Sequence, residues 1–200
     1  MNTNILRITL ALIVTAAAVA PASAQQEPSR VQLSLYPSSR ILARGGDSVE
    51  QPKFKSYSPG ASVTVALSRH FSLEGDIAGS RGNVQTLGVL GRKRSPAMLA
   101  GYINGVVNLM PGRKVQPYVT AGLGLVRLFK REEVDMARSE TLESANAGAG
   151  VKVMFGGWGI RADYRYVGMD STAEARSNFF GPGVRKAHRV AVGFIIGAGR

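Results

Sequence analysis

The chain has 200 residues, 25 Lys+Arg against 13 Asp+Glu, and 44% apolar residues. It is too apolar for a disordered chain and too polar for a polytopic helical membrane protein. Cysteine is absent, which removes a disulfide framework, thiolate metal sites and a cysteine nucleophile, while 24 glycines exceed the average usage of roughly 7%.

Met1–Arg7 is short and positive, Ile8–Ala20 is an uncharged and mostly apolar run, and Ala22-Ser23-Ala24 has the small-x-small pattern of a signal-peptidase site. The run is too short to span a bilayer, so residues 1–24 are expected to be a cleaved secretory signal, with 25–200 as one exported domain. The net positive charge raises nucleic acid, acidic polymers and anionic membranes as partners; export makes nucleic acid a poor candidate. The densest basic cluster, Arg92-Lys93-Arg94, reads as a solvated loop.

The rest of the chain alternates with period two, the signature of strands with two unlike faces. A weak opening strand covers Val31–Tyr36, with Val31, Leu33 and Leu35 on one parity. Val63, Val65 and Leu67 follow, then Phe71, Leu73, Gly75 and Ile77, interleaved with Ser72, Glu74 and Asp76. The charge-free stretch Ser95–Gly112 could be mistaken for a transmembrane helix, but Pro96 and Pro111 bracket it and it alternates too. Leu99, Ile103, Val107 and Leu109 share one parity, and Met98, Tyr102, Asn104 and Asn108 the other. Val119–Leu125, Ala147–Phe155, Trp158–Tyr166 and Val190–Ile196 repeat the pattern. The count is eight.

The connections sort by length. Ser68-Arg69-His70, Met110–Lys114 and Gly156-Gly157 are short; Pro37–Pro59, Ser80–Ser95, Phe129–Glu143 and Gly168–Ala187 are long, and the two kinds alternate. A soluble sandwich has no reason to sort its loops in this way, whereas a transmembrane barrel has short turns on one side and long loops on the other. At this point the chain resembles the small eight-stranded outer-membrane β-barrels of the OmpA/OmpX type. The resemblance spans essentially all of 25–200 and is carried by units such as Met98–Leu125 and Ala145–Tyr166. One departure is the ending Phe194-Ile195-Ile196-Gly197-Ala198-Gly199-Arg200, where the family usually finishes on an aromatic residue. The resemblance implies an all-β, eight-stranded antiparallel up-and-down transmembrane β-barrel in the outer membrane of a Gram-negative envelope. It also implies outer-membrane lipid, lipopolysaccharide and the outer-membrane assembly machinery as partners.

In hydrocarbon an open sheet edge leaves backbone groups unsatisfied, so the strands must close. The apolar parity then faces lipid and the other fills the lumen. The luminal set holds Glu74, Asp76 and Asp163 with Lys152, Arg161, Arg165 and Arg189. Buried charges need partners, so an internal ion-pair network is expected. Luminal glycines at 122, 124, 148, 150, 159 and 193 suit a narrow barrel, and eight strands leave just enough room for side chains. Phe71, Phe155 and Trp158 near the short turns and Phe129, Tyr164 and Tyr166 toward the long loops are expected to form interface girdles.

Enzyme readings are weaker. Glu74 and Asp76 could act as an acid/base pair, but as partners of luminal arginines they need no such role. His70 and Ser72 share a strand face and could pair as base and nucleophile, yet they abut a short turn on the periplasmic side. His188 has no evident partner in sequence. The Gly-x-Gly pairs lack a third glycine and a helix, and two histidines without cysteine make a metal site improbable; no cofactor is expected. The favoured function is therefore non-enzymatic: a rigid barrel presenting four long extracellular loops, with a structural or surface-interaction role and an extracellular ligand bound through the loops. The alternatives are a small membrane enzyme or porin-like solute conduit using the luminal charges, or a soluble lipocalin-like barrel with its faces reversed.

Overall fold

The computed structural model describes residues 31–44, 53–86, 91–130, 139–170 and 185–198; the expected signal segment lies outside them. All the described regular structure is β. The strands are β1 (Val31–Arg44), β2 (Lys53–Tyr57), β3 (Gly60–Ala66), β4 (Phe71–Ser80), β5 (Val84–Thr86), β6 (Arg92–Arg94), β7 (Met98–Asn108), β8 (Val115–Leu128), β9 (Glu140–Phe155), β10 (Trp158–Asp170) and β11 (Arg185–Ala198). Antiparallel pairing runs β11-β10-β9-β8-β7-β4-β3-β1, and β11 pairs back onto β1. β2 and β3 both pair with β1 and act as one interrupted strand. The result is a closed, eight-stranded antiparallel barrel, with β5–β6 as a separate hairpin above it. Closure leaves no edge, which is the condition for a sheet in hydrocarbon.

The short connections lie together at the end where Val31 pairs with Ala198. The β9–β10 connection is the two-residue turn Gly156-Gly157. There Gly156 has a φ of 71°, the left-handed backbone that such tight hairpins require and glycine adopts without strain. The long connections lie at the opposite end.

Two details differ from the sequence expectation. Three of the long connections shorten, to 45–52, 129–139 and 171–184, because the strands run further toward them, while the fourth shifts to 81–97 without shortening. The segment 37–59 is only in part a loop, because β1 continues through Pro37 to Arg44 and the chain returns as β2. Proline has no N–H for the ladder, and the chain accommodates Pro37 with a bulge. The pairing with β11 shifts by one between Leu35 and Ser38, so the inward parity changes from Ser34 and Tyr36 to Ser39 and Ile41. A bulge that absorbs a proline leaves no trace in a period-two pattern except a break, and a break reads as a loop.

Candidate functional site

Strand alternation points two sets of side chains into the lumen, at two levels. Nearer the short turns is a charged cluster on β4, β10 and β11. Arg161 pairs with Glu74 and, at 3.1 Å, with Asp163. Arg165 reaches all three acids: Glu74 at 2.6 Å, Asp163 at 2.8 Å and Asp76 at 3.3 Å. Arg189 closes the set on Asp76. Three carboxylates and three guanidiniums thus neutralise one another where all six are buried. Removing ions from water costs several kcal/mol each, and only such close, multiple pairing offsets it. Hydroxyls and amides take up further oxygen lone pairs: Thr64 Oγ1 (3.2 Å) and Asn104 Nδ2 (3.4 Å) donate to Glu74, and the Tyr118 hydroxyl donates to Asp163 at 2.5 Å. The Arg161 guanidinium lies 4.6 Å from the Tyr118 ring centre and 5.5 Å from that of Tyr36, which adds cation–π attraction.

Six of the seven charges singled out from sequence therefore meet in one network. Lys152 is placed apart from them. Its ammonium donates to Gln32 Oε1 at 3.0 Å and lies over the Tyr118 ring. His70 and Ser72 do not form a base–nucleophile pair: His70 is exposed in the β3–β4 turn, and the Ser72 hydroxyl accepts from Asn108 Nδ2 at 3.3 Å. Among the described residues, no group of three His, Asp or Glu side chains is arranged to hold a metal ion.

The luminal glycines make room for large neighbours. A Cβ on Gly150 would stand 2.2 Å from the Tyr118 hydroxyl, and one on Gly124 would stand 2.5 Å from Tyr102 Cδ1. Each of these tyrosines is paired with its glycine across the ladder, Tyr118 with Gly150 and Tyr102 with Gly124. Gly148 serves Arg165 in the same way, and Gly193 serves Tyr36.

On the outer face, Phe155 and Trp158 stack at 4.8 Å beside the shortest turn, and Phe71 is exposed at the same end. Tyr164 and Tyr166 face outward toward the other end, where His188 lies between them. The Tyr164 hydroxyl and His188 Nδ1 are 2.8 Å apart, and the Tyr166 ring meets the imidazole edge-on at 5.4 Å. His188 thus has partners that its sequence position did not reveal. Phe129 stands just past β8, with the Arg127 guanidinium 5.8 Å from its ring.

A family model described as "Outer membrane protein beta-barrel domain" matches residues 9–194. The chain belongs to this family. Among solved structures it is similar to Neisserial surface protein A, at 15% identity and a TM-score of 0.58, covering 84% of this chain and 96% of that one. It is also similar to the outer membrane protein OprG from Pseudomonas aeruginosa, at 11% identity and a TM-score of 0.53, covering 86% of this chain and 97% of that one. These likenesses are of fold. No match was found among curated proteins. As a member of the outer-membrane barrel family, the protein resides in the bacterial outer membrane.

In that setting the second interior level becomes intelligible. Nearer the long connections the lumen is mostly apolar: Ile41, Met98, Val126, Leu128, Leu142 and Met169 belong to one buried cluster, with Ser56, Ser80, Ser144 and Glu140 buried at the same level. Sequence reasoning missed most of it, because the predicted strands stopped at Leu125 and Tyr166 and resumed at Asn146. The signal was present but inverted. Beyond Leu125 the exposed outward residue is Arg127 and the inward ones are Val126 and Leu128; on β9, Glu143 is outward and Leu142 inward.

Proposed function

We propose that the protein is a closed, non-catalytic barrel that carries the connections 45–52, 81–97, 129–139 and 171–184 on the cell exterior for a structural or surface-interaction role. The observation that carries this reading is the filled lumen. Charged side chains at one level and apolar ones at the next are both buried to within a few per cent, Arg161 and Leu128 being wholly inaccessible. A channel needs a continuous wet path, and eight strands leave only enough interior for side chains. Catalysis by acid and base needs a carboxylate free to exchange a proton with substrate, and Glu74 and Asp163 are instead engaged by guanidinium and hydroxyl donors. Function then falls to the outer surfaces. The partners are outer-membrane lipid and lipopolysaccharide around the wall, the assembly machinery during insertion, and an extracellular ligand at the loops.

The test is a pair of measurements on the refolded full chain. Planar-bilayer recording should show no conductance steps. Replacing 131–138 with a Gly/Ser segment should leave the heat-dependent electrophoretic shift of the barrel intact while removing binding of whole cells to a host or matrix surface. Steady conductance, or a hydrolytic activity abolished by Glu74→Gln in a barrel that still shows the heat shift, would overturn the reading.

A further inference from the structure

The outer wall is not uniformly convex. A groove of about 550 Å³ runs over β3, β4, β7 and β8, walled by Val63, Ile77, Ile103 and Leu125 with Gly75 and Gly101 between them. The two glycines form a true depression, since a Cβ built at either would meet nothing within 4 Å. The groove is almost wholly apolar and belongs to the lipid-facing parity, so a hydrocarbon chain is the occupant its chemistry fits.

The rim toward the long connections is of the opposite character. On β8 the outward column Leu123, Leu125 continues as Arg127, and on β2–β3 the column Val63, Ala61 continues up to Lys55. Between these columns, the connection from β4 to β7 folds as the β5–β6 hairpin, tied to β2 where Lys55 N donates to Gln85 Oε1 at 2.8 Å. The hairpin and its entry carry Arg81, Arg92, Lys93 and Arg94, all exposed. Among the described residues, none of these four bases, nor Arg127, has an ion-pair partner. The outward acid beside the groove, among the described residues, is Glu143, paired across the ladder with Leu125. At roughly 3.3 Å per residue, Gly101 lies about 10 Å along the tilted strand from Met98, where the hairpin rejoins the wall, so the apolar groove begins within a few residues of the basic rim.

We propose that the groove seats an acyl chain of a phosphorylated lipid of the surrounding leaflet, with the lipid's phosphate held by the bases of the β5–β6 hairpin and Arg127. Charge-assisted N–H···O bonds to phosphate and the attraction of clustered bases to anionic headgroups supply the polar half of the site. The inference deepens the partner reading above and rests on its orientation, with the long connections at the outer surface. The occupant is then an outer-leaflet lipid of the lipid A type, a multiply acylated and doubly phosphorylated disaccharide.

The experiment titrates full-length protein, refolded in detergent micelles, with bisphosphorylated lipid A and counts retained lipid by native mass spectrometry. One lipid per barrel is the expected stoichiometry. Arg92→Ser/Lys93→Ser/Arg94→Ser, which removes the bases, and Gly101→Leu, which fills the groove where space is open, should each weaken retention roughly tenfold or more. Neither should alter the heat-dependent electrophoretic shift. Phosphatidylcholine should be retained far less, and glucosamine phosphate, which lacks chains, should not compete. Undiminished retention by Gly101→Leu would overturn the proposal, as would displacement of the lipid by glucosamine phosphate. So would a wild-type dimer that Gly101→Leu abolishes, because the occupant would then be a second barrel. Failure of the orientation reads out separately. A Lys93→Cys variant should react with a membrane-impermeant maleimide on intact cells, and absence of labelling there would refute the orientation whatever the micelle titration shows.

Discussion

The membrane band and the collar above it obey opposite rules on the same strands. In the band, β9 from Ala145 to Phe155 is apolar outward while Asn146 and Lys152 point in; this matches the roughly 9–11 residues that an oblique strand needs to cross hydrocarbon. In the collar the charges of Arg127 and Glu143 point out and Val126, Leu128 and Leu142 point in. The upper storey is packed like a small water-soluble barrel and the lower one like a membrane barrel. What changes between them is the solvent outside, so the position of the inversion marks the edge of the hydrocarbon. It falls between Leu125 and Arg127 on β8 and between Glu143 and Ala145 on β9.

The largest effect should come from the charged storey. Glu74→Ala leaves Arg161 and Arg165 without their shared acceptor, and breaking a buried ionic set costs about 3–5 kcal/mol; a urea titration of the refolded barrel should show its midpoint fall accordingly. In the apolar storey Leu142→Ala opens a cavity worth about 2–5 kcal/mol, and here the loss should be insensitive to salt. Comparable midpoints for Leu142→Ala and wild type would mean that the collar is not a packed core. A matched pair addresses the boundary itself. Ile103→Arg on the lipid face should cost about 2–4 kcal/mol in vesicles, whereas Thr141→Arg, outward in the collar and opposite Arg127, should cost no more than about 1 kcal/mol, the like-charge repulsion across the ladder. Equal tolerance at both sites would place water outside the band and revive the reversed, soluble barrel. Smaller still is the contrast between two glycines. Gly150→Ala drives a methyl against Tyr118 and should cost about 1–3 kcal/mol; Gly101→Ala meets open space, so the rate at which its heat-shifted band appears during refolding should match wild type.

The architecture was legible in sequence because period two and alternating connection lengths are both local signals. The parity of each core strand, from Leu33 to Ile196, is visible in a single sequence. So was the charge content of the lower storey, since a buried acid on one strand demands a base on another. What the sequence concealed had two physical causes. Single-parity reasoning assumes one solvent along the whole strand, and it ended β8 at Leu125 where the solvent changed. It also treats proline as a stop, which hid the continuation of β1 past Pro37 to Ile41. Partnerships between strands distant in sequence were invisible as well: nothing local to His188 announces Tyr164, and nothing in the basic run at 92–94 announces a groove beneath it.

The tyrosine–glycine pairs have a consequence for assembly. Sliding one strand past its neighbour by a single residue would expose charge to lipid, but sliding by two keeps every parity correct and every backbone bond available. Hydrophobicity is blind to such an error. Steric fit is not: after a two-residue slip of β9 in one direction Tyr118 would meet Lys152 in place of Gly150, and the same slip of β8 against β7 would set Tyr102 against Val126 instead of Gly124. The absent side chains thus act as one-way notches: they refuse slippage in that direction, whereas slippage the other way would set Tyr118 on Gly148 and Tyr102 on Gly122 and must be refused by the other luminal side chains.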